Sequence, residues 1–406
     1  MQKRIVVTGI GILSSIGNNI QEHLDSLLVG KSGKKNIERI NTAHPIYRNQ
    51  SACIIDQEKL NSITKLDKTK QINCGIFSID QAINDAKLTP GDLKEAALII
   101  GTSIGASHTF ADFFKEYITD EKLSEEALDL ASNSAQTITG SIAKHYKISG
   151  PTCTISTACS ASTNAVGRGL DMIRSGKVKI AIAGGVDIFS ELAFSGFNCL
   201  QALSKSDCKP FSSTRDGLML GDASAFLILE EYESAKSNGK SIYAEVVSYH
   251  FLNEAYHPTA VKEDGSSIYD CMKQTLNKAN LTVDDINYIN AHGTATNVND
   301  STELKGIELL LDEAKEDNEL YVSSTKSMIG HCLGAAGSAE LVSTILGMKY
   351  NFILPNINVE PHELLKINNS KIKIPSEATG HKITYALSNS FAFGGNMSSI
   401  LIKNMN

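Results

Sequence analysis

Cys159 stands in Ser156-Thr157-Ala158-Cys159-Ser160-Ala161-Ser162, between a short apolar run (Cys153, Ile155) and a helix-compatible run of small residues. Two histidines lie far downstream in Gly-rich turns, Asn290-Ala291-His292-Gly293-Thr294 and Gly330-His331-Cys332-Leu333-Gly334. One thiol and two imidazoles suit acyl transfer through a thioester, because a thiolate is a good nucleophile and a thioester a good acyl donor. Free cysteines are ordinarily small buried hydrophobes, the reading taken for Cys53, Cys74, Cys153, Cys199, Cys208, Cys271 and Cys332. Cys159 differs in being flanked by small hydroxylated residues at a helix start, where the macrodipole favours thiolate. His23, His44, His108, His145, His250, His362 and His381 read as structural or solvated. His292 and His331 instead end strand-like runs and enter Gly/Thr turns, where catalytic groups often sit. A Cys-His-His zinc site lacks local metal spacing.

These groups need elements to position them. Short β-branched runs at Ile5–Thr8, Leu98–Ile100, Ile180–Ala183, Phe226–Leu229, Glu245–Val247, Ile286–Asn290, Tyr321–Ser323 and Thr384–Leu387 predict strands. Amphipathic helices fall between them, as where Ile72, Ile76, Ile79, Ile83 and Ala86 recur at helical spacing. The alternation predicts α/β layers. Small-residue helices follow both Cys159 and His331 (Gly334-Ala335-Ala336-Gly337-Ser338-Ala339), which suggests a duplicated architecture with one buried helix per half. The polar Ser234–Lys240 stretch is the seam, giving halves of 1–242 with the thiol and 243–406 with both histidines.

Other motifs carry less. Gly101-Thr102-Ser103-Ile104-Gly105 follows a strand like a nucleophile elbow, but no helix clearly opens after it. Ser323-Ser324-Thr325-Lys326 fits an S-x-x-K pattern without the motifs that accompany it. Gly9-Ile10-Gly11-Ile12-Leu13-Ser14 lacks the third glycine of a dinucleotide fingerprint and reads as a glycine turn.

The 406 residues are 42% hydrophobic, with 30 Gly and 8 Pro, the balance of a globular α/β chain. A net charge of −7 argues against a nucleic-acid partner. Eight cysteines without a C-x-x-C pair fit a reducing compartment. The apolar start is interrupted by Thr8, Gly9 and Gly11 and reads as a buried strand, not a signal peptide. No apolar stretch approaches the ~18 residues of a membrane span. The expectation is a soluble, cytoplasmic protein.

End to end, from Val6-Val7-Thr8-Gly9-Ile10-Gly11 to Phe391-Ala392-Phe393-Gly394-Gly395, the chain resembles the β-ketoacyl-acyl-carrier-protein synthases, nearest the elongating synthase II type. The resemblance is carried by Thr157-Ala158-Cys159-Ser160, Pro210-Phe211-Ser212 with Arg215-Asp216-Gly217, Asn290-Ala291-His292-Gly293-Thr294-Ala295-Thr296, Ser324-Thr325-Lys326-Ser327-Met328-Ile329-Gly330-His331 and Ser388-Asn389-Ser390-Phe391. It implies a thiolase-like fold, a five-layered αβαβα sandwich of two similar halves, normally a homodimer. By the same resemblance Cys159 takes an acyl chain from an acyl-carrier protein. His292 and His331 bind the malonyl thioester carbonyl through neutral, donor-oriented tautomers. The N–H groups of Cys159 and Phe393 hold the tetrahedral oxyanion, and Phe393 gates the acyl site. Lys326 and Glu303 match a pair that shapes the site and orients His331. Thr294 and Thr296, assisted by Thr259, match hydroxyls for the phosphopantetheine arm, and Ile104 matches a tunnel-lining residue. Lys65, Lys68 and Lys70 match the carrier-docking region. Asn290, Glu340, Ser388 and Asn389 match a structural monovalent-cation site. No other cofactor and no catalytic metal are expected.

Family members usually read F-G-F-G-G-T-N where this chain has Phe391-Ala392-Phe393-Gly394-Gly395-Asn396-Met397. Ala is less permissive than Gly in a moving loop. The resemblance therefore leaves open fatty-acid elongation, an aryl polyene or type II polyketide ketosynthase, and a heterodimer with a related subunit. A non-catalytic chain-length factor is disfavoured by the intact Cys159, His292, His331 and Lys326.

Overall fold

A computed structural model describes residues 3–38, 47–63, 69–105, 117–119 and 134–406. Lys65, Lys68, His44 and His108 lie outside the described residues, while Lys70 opens a helix. Eleven strands form the main sheet: β1 (Ile5–Ser14), β2 (Ala97–Gly101), β3 (Thr152–Ile155), β4 (Ile180–Asp187), β5 (Ala223–Glu231), β6 (Ala244–Asn253), β7 (Tyr288–Asn290), β8 (Leu320–Ser323), β9 (Ile372–Lys373), β10 (Tyr385–Ala392) and β11 (Asn396–Asn404). Six helices cover it: α1 (Lys70–Ala86), α2 (Ala135–Tyr146), α3 (Ala161–Arg174), α4 (Ser266–Lys278), α5 (Asn297–Leu311) and α6 (Ala336–Tyr350).

The sheet order is β9-β8-β7-β10-β11-β6-β1-β5-β4-β2-β3. From β1 outward the pairings are antiparallel to β5, antiparallel to β4, parallel to β2 and parallel to β3. From β6 outward they repeat: antiparallel to β11 and β10, then parallel to β7 and β8. The two runs meet where Ile5, Val6 and Val7 pair antiparallel with Val246, Glu245 and Ala244. α1 and α2 cover one outer face, α4 and α5 the other, and α3 packs against α6 between the two runs. The result is a five-layered α/β sandwich.

Sandwiching dictates the composition of the central helices. Every residue of α6 from Ala336 to Met348 is buried, so apart from Glu340 the helix is apolar or small on all sides rather than amphipathic. Sheet backbone must come close to α3, and a Cβ on Gly101 would lie 2.4 Å from Ser162 N. The Gly9–Ser14 segment corrects the expected glycine turn. It continues β1, because Gly9 and Gly11 leave room for the carbonyls of Ala82 and Ser78 on α1, which a Cβ would meet at 2.4 and 2.0 Å.

Both central helices begin with a one-turn 3-10 segment, Ala158–Ser160 before α3 and Leu333–Ala335 before α6. The first residue of each has a left-handed φ of 48°. For a non-glycine residue that conformation costs on the order of 1–3 kcal/mol, and it clusters at functional sites.

Candidate active site

Cys159 sits in the turn that opens α3 and is only 6% exposed. Asn164, one turn along α3, fixes that turn. Its Nδ2 donates to Thr157 Oγ1 at 2.8 Å, while its Oδ1 accepts from Tyr249 at 2.8 Å and from Ser398. Burial pushes the thiol up to about 12, and the nearby Lys326 ammonium only partly opposes it. Burial thus opposes the thiolate that the helix start is expected to favour.

His292 follows β7, and its backbone N–H and that of Gly293 donate to the two oxygens of Glu303 on α5, each at 2.8 Å. His331 follows the short helix Lys326–Ile329, and its N–H donates to the Met219 carbonyl at 2.7 Å. The rings stand 5.4 Å apart, nearly perpendicular at 85°. Lys326 Nζ lies 3.3 Å from His292 Nδ1, and the Leu333 N–H donates to His331 Nδ1 at 3.2 Å. With both Nδ1 atoms facing N–H donors, both Nε2 atoms carry the proton. Burial and the Lys326 charge hold both imidazoles well below the ordinary histidine range, so both are neutral N–H donors at neutral pH.

Lys326 is fully buried, and its ion-pair partner is Glu340 on α6, not the expected Glu303. Glu303 is occupied by backbone N–H groups, and burial pushes its carboxyl up to about 7. The ring that Lys326 orients is that of His292; His331 is oriented by backbone. Glu340 was expected only as a cation ligand, and its pairing depends on α6 lying beside the Lys326 turn.

Cys159, His292 and His331 share a cavity of about 300 Å³ with Thr259, Thr294, Thr296 and Phe393. The hydroxyls of Thr294 and Thr296 are 2.9 Å apart. Phe393 is 39% exposed at the mouth and stacks on Phe197 at 6.1 Å. Ile104 does not line this cavity; it packs half-buried in an adjoining apolar cluster with Phe194, Leu203 and Leu333, while Phe197 and Leu218 belong to both. His257 also lines the cavity, with its Nδ1 accepting the N–H groups of Thr259 and Ala260 at 3.1 Å each. No motif distinguishes it; its neighbours Pro258 and Thr259 are the only signal.

Ser103 and Ser323 form no second centre. Ser103 N–H donates to Asp187, and Ser323 Oγ is bonded to the Tyr288 hydroxyl. Asp187 collects Thr102, Ser103 and Gly334, tying the end of β2 to the turn before α6; burial pushes its carboxyl up to about 6. Ala392 has φ −131°, extended backbone that any residue adopts, so the missing glycine strains nothing at that position. Among the described residues no group of three or more His, Cys, Asp or Glu side chains could hold a metal. Among the described residues no helix is long and apolar enough to cross a membrane.

The repeated α/β run, with a buried thiol and two imidazoles lining one cavity, is the thiolase-like fold. Residues 2–235 match the β-ketoacyl synthase N-terminal domain and residues 243–360 its C-terminal domain. The chain is 35% identical to the 3-oxoacyl-[acyl-carrier-protein] synthase 2 of Vibrio cholerae over 100% of both chains, and 34% identical to that of Vibrio harveyi over 99% of both. Among solved structures, the ishigamide ketosynthase/chain length factor superposes with a TM-score of 0.91 at 30% identity, covering 100% of both chains. A type II polyketide acyl-carrier protein in complex with its ketosynthase bound to the hexaketide gives 0.88 at 28%, again over 100% of both. The chain belongs to the β-ketoacyl synthase family. It is a carbon–carbon bond-forming acyltransferase.

The burial of Cys159 sets a pH dependence. Below its raised value of about 12 the thiolate fraction grows tenfold per pH unit. Alkylation of Cys159 by iodoacetamide, followed by peptide mapping, is expected to rise with unit slope in log rate from about pH 7 to pH 9. A plateau in that window would show that the site stabilises the thiolate after all.

Proposed function

We propose that this chain condenses an acyl group carried on Cys159 with a malonyl unit, both delivered by an acyl-carrier protein. Cys159 Sγ attacks the incoming thioester, and its proton leaves with the carrier thiol. The malonyl thioester then binds with its carbonyl oxygen between His292 and His331. Loss of carbon dioxide leaves an enolate, whose charge builds on that oxygen and is stabilised by two Nε2–H donors. The carbanion attacks the acyl carbonyl, the N–H groups of Cys159 and Phe393 hold the tetrahedral oxyanion, and collapse expels the Cys159 thiolate. The observation that carries this reading is the pair of imidazoles whose Nδ1 atoms both face N–H donors, leaving both Nε2–H groups for the cavity that holds Cys159. Thr294, Thr296 and Thr259 line the approach the phosphopantetheine arm would take. Ile104 belongs to the apolar cluster beyond Phe197 and Leu218, where a growing chain would extend.

Intact-protein mass spectrometry with a panel of acyl-carrier thioesters tests it. The wild-type chain is expected to gain an acyl mass at Cys159, and Cys159→Ala none. His331→Ala keeps the loading but loses about 10²–10³ in malonyl decarboxylation, the effect of losing one oxyanion donor. Loading of Cys159→Ala would remove the nucleophile from that position. The same panel separates pathways. Saturated chains loading best supports fatty-acid elongation; polyene or aryl chains loading best supports a specialised synthase.

Asn290, Glu340 and Ser388 support a structural monovalent cation. Asn290 Oδ1, Glu340 Oε2 and Ser388 Oγ are buried with no hydrogen-bond partner among the described residues, and Asn290 and Ser388 are register partners across β7 and β10. An oxygen donor set of this kind suits a hard monovalent ion. The side chain of Asn389, the fourth expected residue, is engaged by Glu303 and Ser399. Potassium is expected to raise the melting temperature relative to an equal concentration of N-methylglucamine; equal melting would leave these oxygens to water.

The halves 1–242 and 243–406 complete one site, and β3, half-buried at the sheet's end, offers an edge to a second chain. Sedimentation of the purified chain is expected to give the mass of two copies. A monomer that dimerises only with a related subunit would instead indicate an obligatory heterodimer.

A further inference from the structure

The turn that carries Phe393 over the cavity is held from one side. Gly394 and Gly395 take left-handed φ values of 80° and 73°. Ala392 and Asn396 are register partners across the turn, and Asn396 in turn pairs with Asn253 at the end of β6. Asn253 Nδ2 donates to the Gly394 carbonyl at 2.7 Å and reaches Asn396 Oδ1 at 3.5 Å. Asn396 Nδ2 donates to the Phe393 carbonyl at 3.3 Å. Backbone supplies the rest: Glu254 N–H donates to the Gly395 carbonyl at 2.8 Å, and Gly394 N–H donates to the Pro258 carbonyl at 2.7 Å. Every carbonyl of the turn is therefore bonded, two of them by side-chain amides. The segment on the other side runs into His257, Pro258 and Thr259, which line the cavity.

We infer that Asn253 and Asn396 form an amide clamp that sets how far the Phe393 turn stands open, and so which acyl groups reach Cys159. The inference rests on Phe393 acting as gate and oxyanion donor. Swinging the whole turn, and with it Phe393, away from Phe197 would move the Phe393–Gly394 peptide, and both amide bonds end on that peptide or the next. They are exposed bonds between neutral groups, and each biases an opening equilibrium by only about threefold to tenfold. That is weak enough to break in every turnover and strong enough to keep the turn closed between substrates. Asn253 is thus a positioning residue: it acts through Phe393 and touches no reacting atom.

Alkylation of Cys159 by a small reagent, iodoacetamide, and a bulky one, pyrenyl maleimide, reads the opening directly. Peptide mapping separates Cys159 from the exposed Cys199. Asn253→Ala is expected to speed the bulky reagent about threefold to tenfold, leave the small one unchanged, and lower kcat for condensation with little change in KM. Asn253→Asp keeps the acceptor that Ala255 N–H uses at 2.8 Å but cannot donate to Gly394, and is expected to behave like Asn253→Ala. Asn396→Ala shifts the ratio in the same direction by less, and supplies the measurement should Asn253→Ala fail to fold. Wild-type behaviour of Asn253→Asp beside an open Asn253→Ala would assign the effect to the Ala255 turn and overturn the clamp. Unchanged reagent ratios in all three variants would overturn it too. A wild-type chain that takes no acyl group from any carrier thioester overturns the underlying reading of Cys159 instead, a failure the alkylation ratio does not share.

Discussion

One buried ammonium governs this site. Lys326 has no solvent exposure, and taking such an ion from water carries an effective penalty of several kcal/mol. Glu340 offsets that penalty from α6, and His292 Nδ1 takes a second contact. The charge then reaches the thiol and both imidazoles. It pulls both imidazoles below their ordinary range and draws the Cys159 thiol down against its burial. A neutral side chain of the same shape would remove the smaller of the two effects that keep the imidazoles neutral and leave burial, the larger, in place. Replacing Lys326 alone would strand Glu340 in a dry interior, the situation in which a buried pair is most costly to break.

The pair's reach to the thiol requires the fold's duplication. Lys326 precedes one central helix and Glu340 lies within it, while the thiol they influence heads the other central helix, α3. Only a layer in which α3 and α6 pack side by side brings the starts of both together, and only small residues permit that packing: a Cβ on Gly337 would stand 1.8 Å from Thr163 Oγ1. The paired left-handed turns at Ala158 and Leu333 are the local consequence. Each turns the chain sharply from a strand end or loop into a buried helix, and Asp187 and Asn164 hold the two turns by hydrogen bonds rather than by apolar packing.

Much of this was legible in the chain. The thiol and both histidines declared themselves by sitting in small-residue turns, and the spacing of Ile72, Ile76, Ile79 and Ile83 marked a helix now seen from Lys70 to Ala86. What failed to show was partner choice across distance. Glu303 and Glu340 are both acidic residues on helices, and nothing in their neighbours tells which one faces a lysine. The answer depends on Glu303 capturing two backbone N–H groups near His292. β1 was read too short for a similar reason, since glycine in a strand is indistinguishable from glycine in a turn until the helix pressing on it is known. Asn164 and Asp187 gave no signal at all: Asn164 is one more polar residue after Ser162 and Thr163, Asp187 is one polar residue in an apolar run, and the worth of each lies in groups remote in sequence.

The thiol's burial then carries a chemical consequence. A group that is neutral at rest cannot be a standing thiolate, so in the proposed reaction the proton of Cys159 moves as the thioester is attacked. The two imidazoles are neutral and their Nε2 atoms are already protonated, which suits them to stabilise an enolate and leaves them poor bases toward the thiol. The proton's natural destination is the departing carrier thiolate, a leaving group generated in the same step. Activation is thereby tied to the presence of a thioester substrate, and the resting enzyme keeps a thiol that water-borne electrophiles find both buried and uncharged. The same burial that raises the thiol's pKa dries the cavity, and in a dry cavity two N–H donors hold a developing oxyanion far more strongly than they would in water.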